Sequence, residues 1–495
     1  MVDLNSGDGS GTPQAESKNA NKVLAFIQRI DPAVAAFAAA LVMLGVVYGM
    51  AAVRLNLFPY TMAQDAVIAA KALGAIEDDE LMTGLIRMDE NAPSTPKVEQ
   101  VAPNGSGGEY LLVTGGSGEY LSECPTWGCL AWIIDRSGNV VHKWEVDFDE
   151  LFGDLGRKIK GRRKTLNMYP VGLAPTGDGG LYVSFHGRNT FPYQIGIARI
   201  SESGDVVWKH FDNAHHWITV GPKGNVYAPS MRILKAPEQF GDSGVNVRCD
   251  RNVYNEGVRI YSPTGEILRE LSILDLYEKS DLPGLYYSIQ NDCDPVHLNS
   301  VDVATAAIAA RNPLVDEGDI LVSIREPSAI ALISQKTGAI KKIHIGRTAA
   351  QHSANFLPDG NILVFDNQGG DRDLGGTRMA RVNIETGEVS TVYPTRADQP
   401  FVPVASGDGG QIDVSADGTR ALMSLKTQSR VVEIDLASGE PLWTMEFAFD
   451  FSDFLEQHHI KAQTPKGYFR PYGVYYIDPA SFGLPALVRL ASSTG

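Results

Sequence analysis

Gln351-His352-Ser353-Ala354-Asn355-Phe356-Leu357-Pro358-Asp359-Gly360-Asn361-Ile362-Leu363-Val364-Phe365-Asp366-Asn367 is the stretch from which the fold is read. His352 opens a short strand, the Pro358-Asp359-Gly360-Asn361 turn follows, and a second strand runs from Ile362 to Phe365. Proline presets φ at the first corner and glycine supplies φ > 0 at the second. The alternation on either side predicts a β-hairpin.

The chain repeats this unit. Counting eight residues back from each comparable turn glycine takes Gly360 to His352, Gly224 to His216, Gly179 to Val171 and Gly418 to Gly410. A further copy, His297-Leu298-Asn299-Ser300-Val301, begins the same way and carries a longer insertion before Gly318. A polar-Gly turn into an outer strand follows each copy, at Ser137-Gly138, Ser203-Gly204, Thr264-Gly265, Thr337-Gly338, Thr386-Gly387 and Ser438-Gly439. Self-similarity at roughly fifty to seventy residues, with four short strands per unit, is the signature of a β-propeller. Six such turns predict an all-β, six-bladed propeller over residues 109–495. Tyr110-Leu111-Leu112-Val113-Thr114 enters directly as a second strand, so blade one lacks its inner strand. Arg470 to Tyr476, which resembles Tyr169-Pro170-Val171-Gly172-Leu173, is expected to supply it from near the C-terminus, removing an open sheet edge.

The rest of the chain is appendage. Residues 1–31 are polar, lack apolar periodicity and read as a disordered tail. Pro32 to Val53 is a run of 22 uncharged residues, long enough to cross a bilayer as a retained signal anchor. A cleaved signal peptide has a shorter apolar core and a small-residue cleavage site, which is not evident here. Lys18, Lys22 and Arg29 precede the run, placing the N-terminus in the cytoplasm and the bulk of the chain outside. Residues 54–108 read as a helical stalk, with apolar periodicity from Met62 to Ile86, followed by a Pro/Gly-rich linker from Asn91 to Gly108. The net charge of −16 argues against a nucleic-acid partner, so an anionic ligand needs a local cluster of donors.

Four cysteines in an exported chain fit two disulfides, Cys124–Cys129 closing a tight loop and Cys249–Cys293 joining loops of adjacent blades. A zinc half-site is disfavoured, because no second pair with zinc spacing accompanies Cys124 and Cys129.

The starts of innermost strands converge at one mouth of a propeller channel. His216, His297 and His352 are read there, out of ten histidines in all. One histidine in such a place is readily a polar residue lining a wet channel; three read as a site. His215 is expected to point to the opposite face of its strand. The other histidines, including His458 and His459, match no repeat position and are read as solvated. Arg325 ends an apolar strand, Ile320 to Ile324, and its planar fork suits a tetrahedral oxyanion.

These motifs resemble the bacterial arylsulfotransferase family of periplasmic six-bladed propellers. His352 to Asn367 matches one family motif, His297 to Asp302 a second and Ser323 to Ala329 a third; His215-His216-Trp217 stands for a His-His-Asp-like segment. The resemblance covers roughly residues 110–480. It departs where an acidic residue usually follows the histidine, since Ser353 and Trp217 stand there. It implies sulfuryl transfer from an aryl sulfate to a phenol through a sulfohistidine, without cofactor or metal. His352 would be the nucleophile, His216 the acid/base, and His297 with Arg325 the clamp on the sulfuryl oxygens. Imidazole chemistry suits each role. The expected location is a bacterial inner membrane, single-pass, with the propeller in the periplasm; a homo-oligomer is compatible with this. An inactive, membrane-anchored propeller that binds a ligand or protein is the alternative. A quinone-dependent dehydrogenase propeller fits less well, because only Gly204 to Trp208 and Gly439 to Trp443 match its tryptophan repeat.

Overall fold

The structure, a computed structural model, describes residues 31–55, 57–60, 62, 85–102, 110–116, 124–153, 155, 160–161, 168–187, 190–234, 239–240, 245–246, 253–282, 284–285, 293–395, 403–457 and 462–484. The chain divides into two compact units, residues 1–68 and 69–495.

In the first unit Pro32–Arg54 is one α-helix of 23 residues. Asp31 caps it by accepting the Ala33 amide at 2.8 Å, and Pro32 preorganises its first turn. At 1.5 Å per residue it is about 35 Å long, enough to cross a hydrocarbon core. Its side chains from Pro32 to Met50, including Phe37, Met43 and Leu44, are exposed, and Ala52 near its end is buried.

The second unit is mostly β, and its described residues form six antiparallel sheets of four or five strands. From the inside outward, the second sheet is Met168–Pro175, Leu181–Gly187, Gln194–Ile200 and Val206–His210. The third is Thr219–Val220, Val226–Leu234, Val253–Tyr261 and Ile267–Ser272. The fourth is Leu298–Val303, Ile320–Ile324, Ala329–Ile333 and Ile340–Ile345. The fifth is His352–Phe356, Ile362–Asp366, Arg378–Val382 and Val389–Tyr393. The sixth is Gln411–Val414, Arg420–Leu425, Arg430–Asp435 and Pro441–Glu446. In the first sheet Val474–Tyr476 pairs with Leu111–Thr114, followed by Ala131–Ile134 and Val140–Trp144, so the C-terminal segment supplies the inner strand as expected.

The turn glycines do what their positions require. Gly360 has φ 79° and its amide bonds the Leu357 carbonyl at 2.8 Å. A Cβ there would lie 2.6 Å from that of Asn312, so both conformation and space select glycine.

Two devices join neighbouring sheets. Inner-strand side chains reach the next inner strand. Ser300 Oγ accepts the Ala354 amide, Asp302 Oδ2 the Phe356 amide, Ser353 Oγ the Ile412 amide and Asp413 Oδ2 the Tyr476 amide, at 2.7–3.0 Å. At the rim, outer strands donate to a turn carbonyl of the next sheet: Trp144 to Ser201, Trp208 to Pro263 and Trp443 to Arg136. His344 bonds the Ile384 carbonyl at 2.8 Å in the same way, so it is a buried joint rather than a solvated residue. Apolar clusters fill the space between sheets, one of them around Trp132, Trp443 and Phe469.

The segment read as stalk and linker behaves differently where it is described. Residues 63–84 lie outside the described residues, but Ile86–Met88 is a strand paired with Lys466–Phe469. Leu85 and Ile86 are buried in a core cluster with Phe469, and that burial prevails over the helical spacing. Lys97–Gln100, read as linker, adds a fifth strand to the outer edge of the sixth sheet, from Lys97 opposite Glu446 to Gln100 opposite Trp443. Cys124 and Cys129 form a disulfide. Cys293 is also disulfide-bonded; Cys249 lies outside the described residues.

Candidate active site

In an antiparallel sheet, the start of the first strand lies beside the end of the second. One end of the inner strands therefore gathers residues from both places. From strand starts come His216, His297 and His352; from second-strand ends come His186, Arg325, Asn367 and Lys426.

Register corrects one equivalence. Val220, Val303 and Phe356 stand opposite Val226, Ile320 and Ile362 at the turn end of their hairpins. Four residues back lie His216, Asn299 and His352, so Asn299 and not His297 holds the repeat position. His297 still reaches the cluster, with its ring 5.6 Å from that of His216.

His352 opens the fifth sheet opposite Phe365, and Ser353 bulges out with φ 48°. The His352 Nδ1–H faces Asn367 Oδ1 at 2.7 Å and the Ala350 carbonyl at 3.1 Å. Both neighbours are acceptors, so the proton sits on Nδ1 and Nε2 carries the lone pair. The amide of Asn367 is fixed in turn, because its Nδ2 donates to the Ser406 and Gly409 carbonyls at 2.9 and 2.6 Å. Asn367 thus orients the imidazole where the family's acidic residue is missing. Ser353 serves the fold instead, and Trp217 stands edge-on to His352 with ring centres 5.7 Å apart. Burial holds His352 down to about 3, with the Asn367 bond opposing and the charges of His297, Arg325 and Lys426 adding to it. It is therefore a neutral imidazole near pH 7.

His216 is buried, with its ring 4.5 Å from that of His186 and its amide donating to His186 Nε2 at 3.2 Å. His215 does not turn away. His216 has φ 51°, so strand alternation fails at this point, and His215 Nδ1 lies 2.5 Å from His216 Nδ1. Burial, then the neighbouring imidazoles, lowers the proton affinity of both His215 and His216 well below the usual histidine range. Behind them the fully buried Glu256 lies 3.8 Å from His215 Nε2 and accepts the Leu298 amide. Burial pushes its carboxyl well up, the nearby Asp294 adding to the effect. His297 Nδ1 lies 2.6 Å from Asp294 Oδ2, a contact that orients its ring. Arg325 is partly exposed and commits one N–H to Glu326 at 2.9 Å.

The sequence reading missed His186, Asn367 and Lys426. His186 is 5% exposed and held to about 3 by burial and by the charges of Lys426 and His297, not solvated as expected. Lys426 lies over the Tyr472 ring at 4.6 Å, and Tyr472 stacks on Tyr169 at 5.0 Å. Asn367 ends the quoted motif, so its place was visible although its role was not. His458 and His459 lie outside the described residues. One ring nitrogen from each of His186, His215 and His216 lies within 4.8 Å of the other two, a set able to hold a cation.

A cage of neutral imidazoles flanked by cationic side chains, at one end of six sheets, suits transfer of an anionic group. The arylsulfotransferase (ASST) family model matches residues 178–448, more than half of the chain, and the chain belongs to that family. The match spans His186, His216, His297, Arg325, His352 and Asn367. No curated protein matches the chain. Distantly similar solved structures include a virginiamycin B lyase from Staphylococcus aureus, at 13% identity over 54% of this chain and 67% of that one, with a TM-score of 0.31. A streptogramin B lyase has 12% identity over 70% and 85%, with a TM-score of 0.36. A hydrazine synthase from Kuenenia stuttgartiensis has 11% identity over 62% and 70%, with a TM-score of 0.35.

Proposed function

We propose that the chain moves a sulfuryl group from an aryl sulfate to a phenol through a sulfohistidine on His352. The observation that carries this is the fixed tautomer of His352, whose Nδ1–H is held by Asn367 and Ala350 while the neutral Nε2 keeps its lone pair. Nε2 attacks sulfur, the N–S bond forms as the S–O bond breaks, and the phenolate leaves. His297 and Arg325 hold the equatorial sulfuryl oxygens as charge shifts onto the leaving oxygen. His216 starts neutral. The arriving sulfate anion raises its proton affinity, so it takes a proton from solvent and gives it to the departing phenolate. In the second half it takes the proton of the acceptor phenol as that oxygen bonds to sulfur and the N–S bond breaks. Neither half needs a cofactor.

In this reading the six sheets close into a six-bladed propeller, supported by side chains that link each inner strand to the next. The Pro32–Arg54 helix anchors it in the bacterial inner membrane with the propeller in the periplasm, supported by the helix's length and apolar composition. Recovery of a soluble chain beginning near residue 54 would remove the anchor.

The test of the reaction is brief incubation with a chromogenic aryl sulfate, followed by intact-mass measurement. Wild type should release phenol in a burst and gain one sulfuryl group, and His352→Asn should do neither. Turnover by an unmodified wild type would refute the covalent route.

A further inference from the structure

His186, His215 and His216 come from two sheets yet face one another, all buried, with one ring nitrogen of each within 4.8 Å of the others. We propose that these three imidazoles bind a divalent transition-metal cation of the Zn²⁺ class.

His215 Nδ1 and His216 Nδ1 lie 2.5 Å apart, so one donates its N–H to the other, and a cation would take the place of that proton between them. His186 Nε2 accepts the His216 amide, so this nitrogen is unprotonated, and a cation binding to it would displace that one bond. Around them Tyr193 Oη and Gln194 Oε1 are buried without a hydrogen-bond partner among the described residues, and His215 Nε2 lies 3.8 Å from Glu256 Oε1. Buried polar atoms seldom go unpaired, and these around one cage mark a place built for something polar. The Tyr193 ring lies 5.3 Å from that of His186 and 6.4 Å from that of His216, on hand for a fourth ligand position or a metal-bound water.

The donor set selects the cation. Three neutral nitrogens suit Zn²⁺, Cu²⁺ or Ni²⁺ and not the oxygen-seeking Mg²⁺ or Ca²⁺. With metal–nitrogen bonds of about 2.0–2.1 Å in a tetrahedron, the nitrogens settle about 3.3 Å apart, a small rearrangement. If His215 binds through Nδ1, its Nε2–H faces Glu256 Oε1, now 3.8 Å away, an oxygen acceptor able to orient a metal-bound histidine.

Binding itself is independent of the proposed reaction; its consequence rests on that reading. A cation that takes the His216 lone pair removes the acid/base, so occupancy and sulfuryl transfer exclude each other.

The experiment is titration of chelator-stripped, full-length protein with Zn²⁺ by calorimetry, and with Co²⁺ by the visible absorption of a tetrahedral site. Wild type and His352→Asn should each take up one equivalent with equal affinity, which separates metal binding from the fate of the nucleophile. His186→Gln should bind at least about 100-fold more weakly, and Glu256→Gln about 10–100-fold more weakly. Should His186→Gln fail to fold, Glu256→Gln and the Co²⁺ spectrum still decide. Zn²⁺ should also stop transfer until chelator is added; stoichiometric binding with undiminished transfer would keep the site and overturn the role of His216. No stoichiometric uptake by wild type, affinity unchanged in both His186→Gln and Glu256→Gln, or an octahedral Co²⁺ spectrum would overturn the proposal.

Discussion

Asn367 fixes the tautomer of His352: its Oδ1 takes the imidazole Nδ1–H at 2.7 Å, and its own N–H groups are tied to Ser406 and Gly409, so the amide cannot flip. Asn367→Ala should lower kcat roughly 10–100-fold, about 1.4–2.8 kcal/mol of barrier, with little change in KM. Asn367→Asp keeps an acceptor and should recover much of the loss. Equal loss in both variants would mean that the amide serves only the fold.

Arg325→Lys should reduce sulfuryl transfer about 100-fold, because a point charge does not replace a two-donor fork. Circular dichroism should be unchanged, since Arg325 is partly exposed and its ion pair is with the adjacent Glu326. Wild-type rates in this variant would remove Arg325 from the clamp.

His216→Asn should slow transfer from weakly acidic phenols by roughly 10²–10⁴-fold and from strongly acidic ones far less, since good leaving groups need no proton. Parallel losses across a series of donors would leave His216 without its acid/base role.

His352 is held to about 3 by burial, against an ordinary 6.5. It stays neutral as pH falls from 7.5 to 5, so the burst with a strongly acidic phenol as leaving group should hold its rate across that window. An acid limb with a midpoint near 6.5 would show that His352 is protonated in solution. For stability, the unfolded chain takes a proton below 6.5 that folded His352 refuses. This group's contribution is therefore full above 6.5 and lost as pH falls toward about 3.

Asp413 has the opposite sign. Burial pushes it up to about 7 from 3.8, while its Oδ2 accepts the Tyr476 amide. The folded state holds the proton that the unfolded chain has released, so stability from this group is full below 3.8 and lost as pH rises through about 7. Asp413→Asn keeps an acceptor without the charge. It should stabilise the protein at pH 8 by on the order of 2–4 kcal/mol and have almost no effect at pH 4. Denaturant midpoints at the two pH values check this.

The hairpins were legible because their signals are local: a turn glycine, an alternating strand and a fixed count between them. That count located His216 and His352, and the likeness of Arg470–Tyr476 to Tyr169–Leu173 located the strand that completes the first sheet. It failed at His297, where an insertion hid a two-residue offset and left Asn299 in the repeat position. His215 was misplaced because alternation presumes an extended chain, and His216 leaves that conformation. His186 carries no repeat signal and becomes part of the cage only when two sheets meet. Ile86 and Lys97 joined sheets whose partner strands lie hundreds of residues away, a pairing no short window contains.

Thr114 Oγ1 accepts the Gly473 amide at 2.9 Å from 359 positions away, beside the pairing of Leu111–Val113 with Val474–Tyr476. At about 5–20 residues per second, a ribosome needs roughly 20–70 s to make the intervening chain. Throughout that interval the first sheet has a bare edge, open to other nascent chains. A premature stop anywhere before Tyr476 leaves that edge bare for good, even when every residue of the histidine cage has been made. The strand Val474–Tyr476 thus closes that edge late in synthesis, and damage late in the message should appear as aggregation before it appears as lost chemistry.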